Sequence, residues 1–376
     1  MNRRERLMRT LRGETVERTP VCFYELNGLD EKPEDADPFN IYSHPSWRPL
    51  IDLTREKTDR IVMRGVSYKS IMPDPVSEFA KVDIKIKDGS RFVTQTVLAG
   101  GKMLTARTRR DRDVNTVWTE EHLLKDADDL KAFLTLPRPK TAQSVDTAGV
   151  LSAESALGDT GIVMIDSPDP LCLAASLFNM EEYTVIALTE KKLFRQLLEW
   201  FAESLLAKTS LVAEALPGRL WRIYGPEYAA EPYLPPALFR EYVCTYVKPM
   251  IESIHRHGGF ARIHCHGKLK NILDDIVGMG TDGLDPVEPP PQGDMELGYV
   301  REKCGKQLVL FGNLEISDIE NLPTDKMAEK IKRAIDEGTA GSGRGFVLMP
   351  SACPYGRVLP AQTLRNYEEI VRIIGA

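Results

Sequence analysis

The 376-residue sequence contains no long apolar run. No stretch approaches the ~20 residues that a membrane-spanning helix requires, so helical spans are excluded. The opening segment MNRRERLMRTLRGE is charged and helical in spacing, unlike a secretory leader. The expected compartment is therefore the cytoplasm. No run of like charge stands out and the net charge is −6, which argues against a general nucleic-acid binder with its basic face. A few arginines could still hold a small anion. The six cysteines (22, 172, 244, 265, 304 and 353) form neither a CxxC pair nor a dense framework, and are expected to be reduced thiols. No glycine fingerprint follows an early strand, which removes the dinucleotide-binding reading. Internal repeats and low-complexity segments are absent as well.

What is present is a β–α rhythm. In the second half, short β-branched runs at 219–224, 260–264, 283–287, 307–311 and 346–349 alternate with helical spacings. These helices are expected at 235–257, 268–277, 295–303, 327–336 and 359–374, and Gly258-Gly259 closes the first of them. The first half adds strands at 20–24, 60–63 and 161–165 and a long helix from Met180 to Ala215. Eight strands in this order predict an α/β fold, a single (β/α)8 TIM barrel covering residues 1–376. Residues 82–118 alternate at period two around glycine turns, and are read as an antiparallel β insertion after strand two.

In a barrel of this kind, chemistry sits at the C-terminal strand ends. The residues that follow the apolar runs are Glu25, Asp166 with Asp169, Glu227, His264 with His266, Glu288, Asn313, and Ser351 with Cys353. Each alone means little, because loops are polar; their convergence on one face is the signal. The sharpest motif is Arg262-Ile263-His264-Cys265-His266-Gly267. Alternate strand residues share a side, so His264 and His266 face the mouth together while Cys265 turns to the helices. That spacing suits chelation of one metal ion, and it equally suits a hydrogen-bonded polar pair. Glu288 and Cys353 are the best-placed further ligands, and two nitrogens with a thiolate suit zinc. Four of the six histidines fall between 255 and 266, but His255 and His257 close a helix, where positive charge is favourable. The run Gly341-Ser342-Gly343-Arg344-Gly345 precedes a strand instead of opening a helix, and is read as a turn.

These motifs together resemble the uroporphyrinogen-decarboxylase-like superfamily, a barrel family that includes corrinoid-dependent methyltransferases. The resemblance runs from Arg4-Glu5-Arg6-Leu7 through Gly225-Pro226-Glu227, His264-Cys265-His266-Gly267, Asp285-Pro286-Val287-Glu288 and Gly312-Asn313 to Ser351-Ala352-Cys353-Pro354. The superfamily's decarboxylases hold a polycarboxylate through an arginine motif after strand one. Here that loop, Glu25-Leu-Asn-Gly-Leu-Asp-Glu-Lys-Pro-Glu-Asp35, has no arginine and is acidic, so it would repel a polyanion.

The methyltransferase branch is the nearer likeness. Its zinc motif implies His264, His266 in place of the branch's cysteine, and Cys353 as metal ligands, with Glu288 beside them. Replacing a thiolate by neutral imidazole makes the ion a stronger Lewis acid. The resemblance therefore implies a zinc-dependent transfer of a methyl group between a small methylated substrate and a corrinoid on a partner protein. Glu227, Glu288 and Asp166 are expected as catalytic groups, and Asn313, Ser351 and Glu25 as pocket residues. Expected partners are the small-molecule substrate, the corrinoid protein and a second copy in a homodimer, with no nucleic acid and no membrane. A decarboxylase-type lyase acting on a porphyrinogen or smaller carboxylate is the alternative. A metal-dependent hydrolase and a non-catalytic binding protein stand further back.

Overall fold

The computed structural model describes residues 1–69, 79–138 and 144–375. In chain order its strands are β1 (Arg60–Arg64), β2 (Ser67–Lys69), β3 (Ala80–Lys87), β4 (Ser90–Ala99), β5 (Lys102–Arg110), β6 (Val117–Glu121), β7 (Ser144–Asp146), β8 (Gly161–Pro168), β9 (Leu220–Tyr224), β10 (Phe260–His264), β11 (Gly283–Asp285), β12 (Val309–Leu314) and β13 (Gly345–Pro350). Seven of them, β1-β8-β9-β10-β11-β12-β13, form one curled parallel sheet. Helices connect its strands, as parallel pairing requires.

The period-two alternation of each strand sorts its side chains into two cores. Ile61, Ile162, Met164, Leu220, Val309, Phe311, Val347 and Met349 form an inner cluster with Cys22 and Tyr24. Val62, Val163, Ile165, Trp221, Ile223, Ala261, Ile263, Leu284, Leu310 and Leu348 point outward into the larger core beneath the helices. Cys265 belongs to that outer core, on the side its position after His264 predicts.

The fold class holds in its coarser form, an α/β architecture with a curled parallel sheet and an antiparallel insertion. Residues 20–24 do not form a strand and make only isolated bridges, Val21 with Leu348 and Phe23 with Leu26. Pro20 has no N–H to offer a ladder, and the chain turns back at Glu25, whose φ is +60°. The segment nevertheless lies beside the last strand: the Cys22 N–H donates to the Leu348 carbonyl at 3.0 Å, and the Leu348 N–H to that of Pro20 at 2.9 Å. On its other side, the Asp59 N–H donates to the Val21 carbonyl at 2.7 Å, just before β1.

The expected insertion is present and larger than its alternation suggests. It is a four-stranded antiparallel sheet, β3-β4-β5-β6, spanning 80–121. Its first hairpin turns at Asp88-Gly89, both with positive φ, the geometry of a two-residue type I′ loop. Two helices are broken. The stretch from Met180 divides at Glu190 into Met180–Thr189 and Lys191–Ala215. The expected helix 235–257 runs as Pro236–Phe239, a π turn at Arg240–Cys244, and Thr245–Arg256. Pro249 lies inside this last helix, where it removes a backbone donor. β11 stops at Asp285 because Pro286 cannot extend the ladder. Among the described residues no helix is long and apolar enough to cross a membrane.

Both helix-end histidines are held by hydrogen bonds at the C-terminal turn. His255 Nε2 pairs with Asp282 at 2.7 Å, and His257 Nδ1 meets the Ser253 carbonyl at 2.9 Å. The 341–345 turn is fastened from below: Arg344 reaches Asp282 at 2.9 Å and donates to the Leu11 and Gln307 carbonyls.

Candidate active site

Register between neighbouring strands builds the site. Tyr224 on β9, His264 on β10 and Asp285 on β11 lie in one row across the sheet. The row beneath contains Asp166 on β8, Arg222 on β9 and Arg262 on β10. Arg222 and Arg262 are 8% and 1% exposed, so each charge must be matched inside the protein. Arg222 grips the Asp166 carboxylate with Nε at 2.6 Å and Nη2 at 3.2 Å. Arg262 pairs with Asp285 at 2.8 Å and lies 4.7 Å over the Phe311 ring.

Asp285 also holds His264, through Nδ1 at 2.7 Å. The other ring nitrogen, Nε2, faces the Tyr24 hydroxyl at 3.4 Å, and the two rings stack at 5.6 Å. Arg222 donates to the same hydroxyl. Burial pushes the Tyr24 phenol well above its usual range against the pull of Arg222, so it stays a neutral hydroxyl. A continuous chain results: Asp166, Arg222, Tyr24, His264, Asp285, Arg262. Burial raises the Asp285 carboxyl, but Arg262 and His264 more than reverse this and hold it below the ordinary carboxylate range.

His266 stands just past the strand, its ring at 4.6 Å and 88° to that of His264. Its Nδ1 meets Glu288 Oε1 at 2.8 Å, and Glu288 Oε2 accepts the Gly267 N–H at 2.9 Å. Burial lowers the His266 pKa, but the Glu288 hydrogen bond and the charges of Glu288, Glu227 and Asp285 raise it further, for a net increase. Reciprocally, burial raises Glu288 while His266 and the Gly267 N–H bring it below its usual value. Each imidazole thus has one nitrogen fixed by a carboxylate and Nε2 without one.

The remaining candidates spread around this centre. Glu227 accepts the Gly225 N–H at 3.1 Å on the turn after β9. Asn313 donates to the Val287 carbonyl at 3.2 Å, and Ser351 to Glu315 at 3.2 Å. Glu25 is exposed at the turn after Tyr24. Cys353 packs against the outer core and its thiol points to the Pro354 carbonyl at 3.2 Å. Burial, then the charges of Glu25 and Glu31, keep that thiol protonated.

The four expected metal ligands are therefore not gathered as a set. Both Glu288 oxygens are engaged, Cys353 lies elsewhere, and among the described residues no group of three or more His, Cys, Asp or Glu side chains could hold an ion. The two Nε2 atoms are the donors that fit, which is half a tetrahedral site.

The model of the uroporphyrinogen decarboxylase (URO-D) family matches residues 119–374, more than half of the chain. The chain belongs to the uroporphyrinogen decarboxylase family. Among solved structures, a methyltransferase from Methanosarcina mazei shares 16% identity over 100% of both chains, with a TM-score of 0.59. At that identity the likeness is one of fold. A D-psicose 3-epimerase with D-tagatose from Clostridium cellulolyticum H10 covers 61% of this chain and 84% of its own, at 12% identity and a TM-score of 0.36. No curated protein matches.

Sequence reasoning did not assign roles to several residues that this family member places in its interior. Tyr24, Arg222, Arg262 and Asp285 complete the chain around His264. Their signal was available in part: charged residues at alternate positions within otherwise apolar strands face the same side as the histidines. Asp169 is fully buried beside Glu227 and caps the following short helix, with Oδ1 accepting the Cys172 N–H at 2.6 Å. Its Oδ2 has no hydrogen-bond partner among the described residues, and burial followed by the Glu227 charge pushes its carboxyl well up.

Glu315, after β12, is 7% exposed, its Oε1 has no hydrogen-bond partner among the described residues, and it lines a cavity of about 180 Å3 with Asn313 and Pro289. Burial and the Glu288 charge raise its carboxyl to about 7. A carboxyl raised on folding binds its proton more tightly folded than unfolded, so stability falls as pH rises from about 4.5 towards 7. Glu315→Gln should remove that slope and stabilise the protein at pH 8 by on the order of 2 kcal/mol. Urea unfolding of both proteins at pH 5 and pH 8 measures it. An unchanged difference between the two pH values would show that Glu315 stays ionised in the fold.

Proposed function

We propose that this family member is a methyltransferase that moves a methyl group from a small methylated substrate to a corrinoid on a partner protein. The observation that carries the reading is the pair of imidazoles at one strand end, each fixed through Nδ1 by its own carboxylate. Methyl transfer breaks the bond between the methyl carbon and its heteroatom. The electron pair stays on the heteroatom, which takes a proton, while the carbon bonds to the acceptor. His266 supplies that proton from Nε2, with Glu288 stabilising the imidazolium. His264, braced by Asp285 and Tyr24, orients the leaving group. The corrinoid, when bound, supplies the nucleophilic cobalt. Glu25 and Glu227 add negative charge beyond the matched pairs of Asp166 with Arg222 and Glu288 with His266, which favours a neutral or cationic substrate over a polyanion. Asn313 and Ser351 are its polar contacts. In this reading segment 20–22 closes the curled sheet into an eight-membered barrel around the site.

Zinc on the two Nε2 atoms is the second form of the same reading, favoured by the carboxylate behind each imidazole, the usual support of a metal-binding histidine. Bound there, the ion would act as a Lewis acid on the leaving heteroatom. Cys353 would join it only by leaving its buried place. The family's name supports a third reading, a decarboxylase-type lyase acting on a porphyrinogen or a smaller carboxylate.

One experiment separates them. The protein is incubated with neutral and cationic methyl donors and a reduced corrinoid, before and after zinc loading, alongside His266→Ala. Loss of the reduced-cobalt absorption with one donor, diminished at least about 100-fold in the variant, is the expected result. Activity that appears only with zinc, bound at about one ion per chain and lost in His264→Ala, selects the second form. No methyl uptake from any donor, together with CO2 release from a carboxylate, overturns the proposal.

A further inference from the structure

The glycine turn Gly341–Gly345 runs into β13 at the N-terminal ends of the strands, on the opposite face from the two imidazoles. Two adjoining clefts, of about 770 and 660 Å3, open there and share Lys306, Gln307, Ser342 and Gly343. Their charge is one-sided in a protein whose net charge is −6. Of the charged residues that line them, Arg12, Arg301, Lys303, Lys306 and Arg344 are cations and only Glu302 is an acid. Arg12, Lys303 and Arg344 have carboxylate partners in Glu14, Asp274 and Asp282. Arg301 and Lys306 line the cleft without one, among the described residues.

Arg301 is the unusual member, because it is only 6% exposed. Its hydrogen bonds go to the main-chain carbonyls of Gly305 at 3.1 Å, Gly345 at 2.7 Å and Gly338, and its Nε has no hydrogen-bond partner among the described residues. Carbonyls are dipoles and leave the charge unmatched, which is costly for a buried guanidinium. Burial accordingly pulls its pKa down to about 10. The backbone around it is built for close approach. A Cβ on Gly343 would come within 2.1 Å of Arg301 Nη1, and one on Gly305 within 2.6 Å of its Cδ, so both positions need glycine.

The turn supplies further donors. Gly341 has a φ of +65°, and the N–H groups of Gly341, Ser342 and Gly343 donate to no acceptor among the described residues. Successive free N–H groups beside a left-handed residue form a concavity suited to anion oxygens. Free donors, an unmatched guanidinium and an excess of cations call for a ligand with high negative charge and many acceptor oxygens. Linked phosphoryl groups have both. The turn leads into a strand, so it differs from phosphate loops that rely on a helix N-terminus. No aromatic ring lines either cleft among the described residues, so nothing there stacks on a base.

We propose that this face binds the linked phosphoryl groups of a small molecule, held by the N–H groups of Gly341, Ser342 and Gly343 and by Lys306, beside the buried Arg301. The phosphate chain is what is recognised, and whatever it carries is left in solvent. The ligand lies across the sheet from the imidazoles, so the site is independent of the reaction proposed above.

Isothermal titration calorimetry on the full chain tests this with pyrophosphate, ATP, adenosine and citrate in the absence of divalent metal. Pyrophosphate is expected to bind at one site per chain with a Kd below ~100 µM, and ATP at least as tightly. Adenosine should not bind, and citrate should bind at least about tenfold more weakly than pyrophosphate. Lys306→Glu and Ser342→Glu, both at exposed positions, should each weaken pyrophosphate at least about tenfold. Lys192→Glu, at an exposed lysine outside the clefts, makes the same change in net charge as Lys306→Glu and should leave the Kd within about twofold. Circular dichroism spectra that match the wild type would show that the variants fold. Binding of neither pyrophosphate nor ATP at about 1 mM overturns the proposal. So does a Kd that moves in none of the variants, or equally in Lys192→Glu. Citrate or adenosine binding as tightly as pyrophosphate overturns it too, because the face would then be a general polyanion patch or a base pocket.

Discussion

Asp285→Ala is expected to destabilise the fold by about 3–5 kcal/mol and to abolish most activity at the same time. The reason lies in what the carboxylate holds on either side. Arg262, almost wholly buried, would retain its charge over the Phe311 face with its carboxylate partner gone. His264 would lose the bond that fixes its Nδ1. The two effects can be separated. Adding Arg262→Met removes the stranded charge, and the double variant should recover most of the lost stability, because a buried ion pair replaced by apolar groups is often neutral. It should not recover activity, since His264 remains unheld; a loss of about 100-fold or more is expected in both variants. Urea unfolding and the methyl-uptake assay on the two variants measure this. Stability that stays low in the double variant would show that Arg262 is satisfied by some other group. Restored activity would place His264 outside the reacting centre.

The parts of the fold that depend on one strand at a time were legible in the sequence. Alternation within Phe260–His264 places Arg262 and His264 inside and Cys265 outside, and the structure agrees. Glu288 emerges as the partner of His266. Features that depend on register between strands were not legible. Nothing local says that Asp166 lies opposite Arg222, or that His264 lies opposite Asp285, because those pairings are set by packing across long connections. Cys353 illustrates the limit from the other side. Alternation ends with β13 at Pro350, and beyond it the chain turns the thiol toward the outer core. The expected first strand was misjudged for a related reason: Cys22 and Tyr24 do face inward, as strand alternation predicts, yet the segment makes too few ladder bonds to count as a strand.

His266 and Glu288 together carry the second large effect. The activity of a histidine that donates a proton is full below its pKa and lost as pH rises through it. The His266 pKa is raised, so this alkaline limb should lie above the 6.5 of an ordinary imidazole. Glu288→Gln keeps a hydrogen-bonding oxygen beside Nδ1 but removes the charge that opposes the burial of His266. The sign follows: burial lowers the pKa, Glu227 and Asp285 alone remain to raise it, and the limb should move to lower pH. Above that limb the variant should fall about 100-fold behind the wild type, and at low pH the two should converge. His266→Ala should lose a similar factor throughout and show no such limb. Stability moves in the same direction, because a raised imidazole pKa stabilises the fold below pH 6.5 and that contribution fades as pH rises through the folded value. A complete pH–rate profile of the three proteins provides the measurement. An alkaline limb that stays in place in Glu288→Gln would assign the proton to another group, and Glu315, raised to about 7 on the same side of the mouth, would be the next to replace.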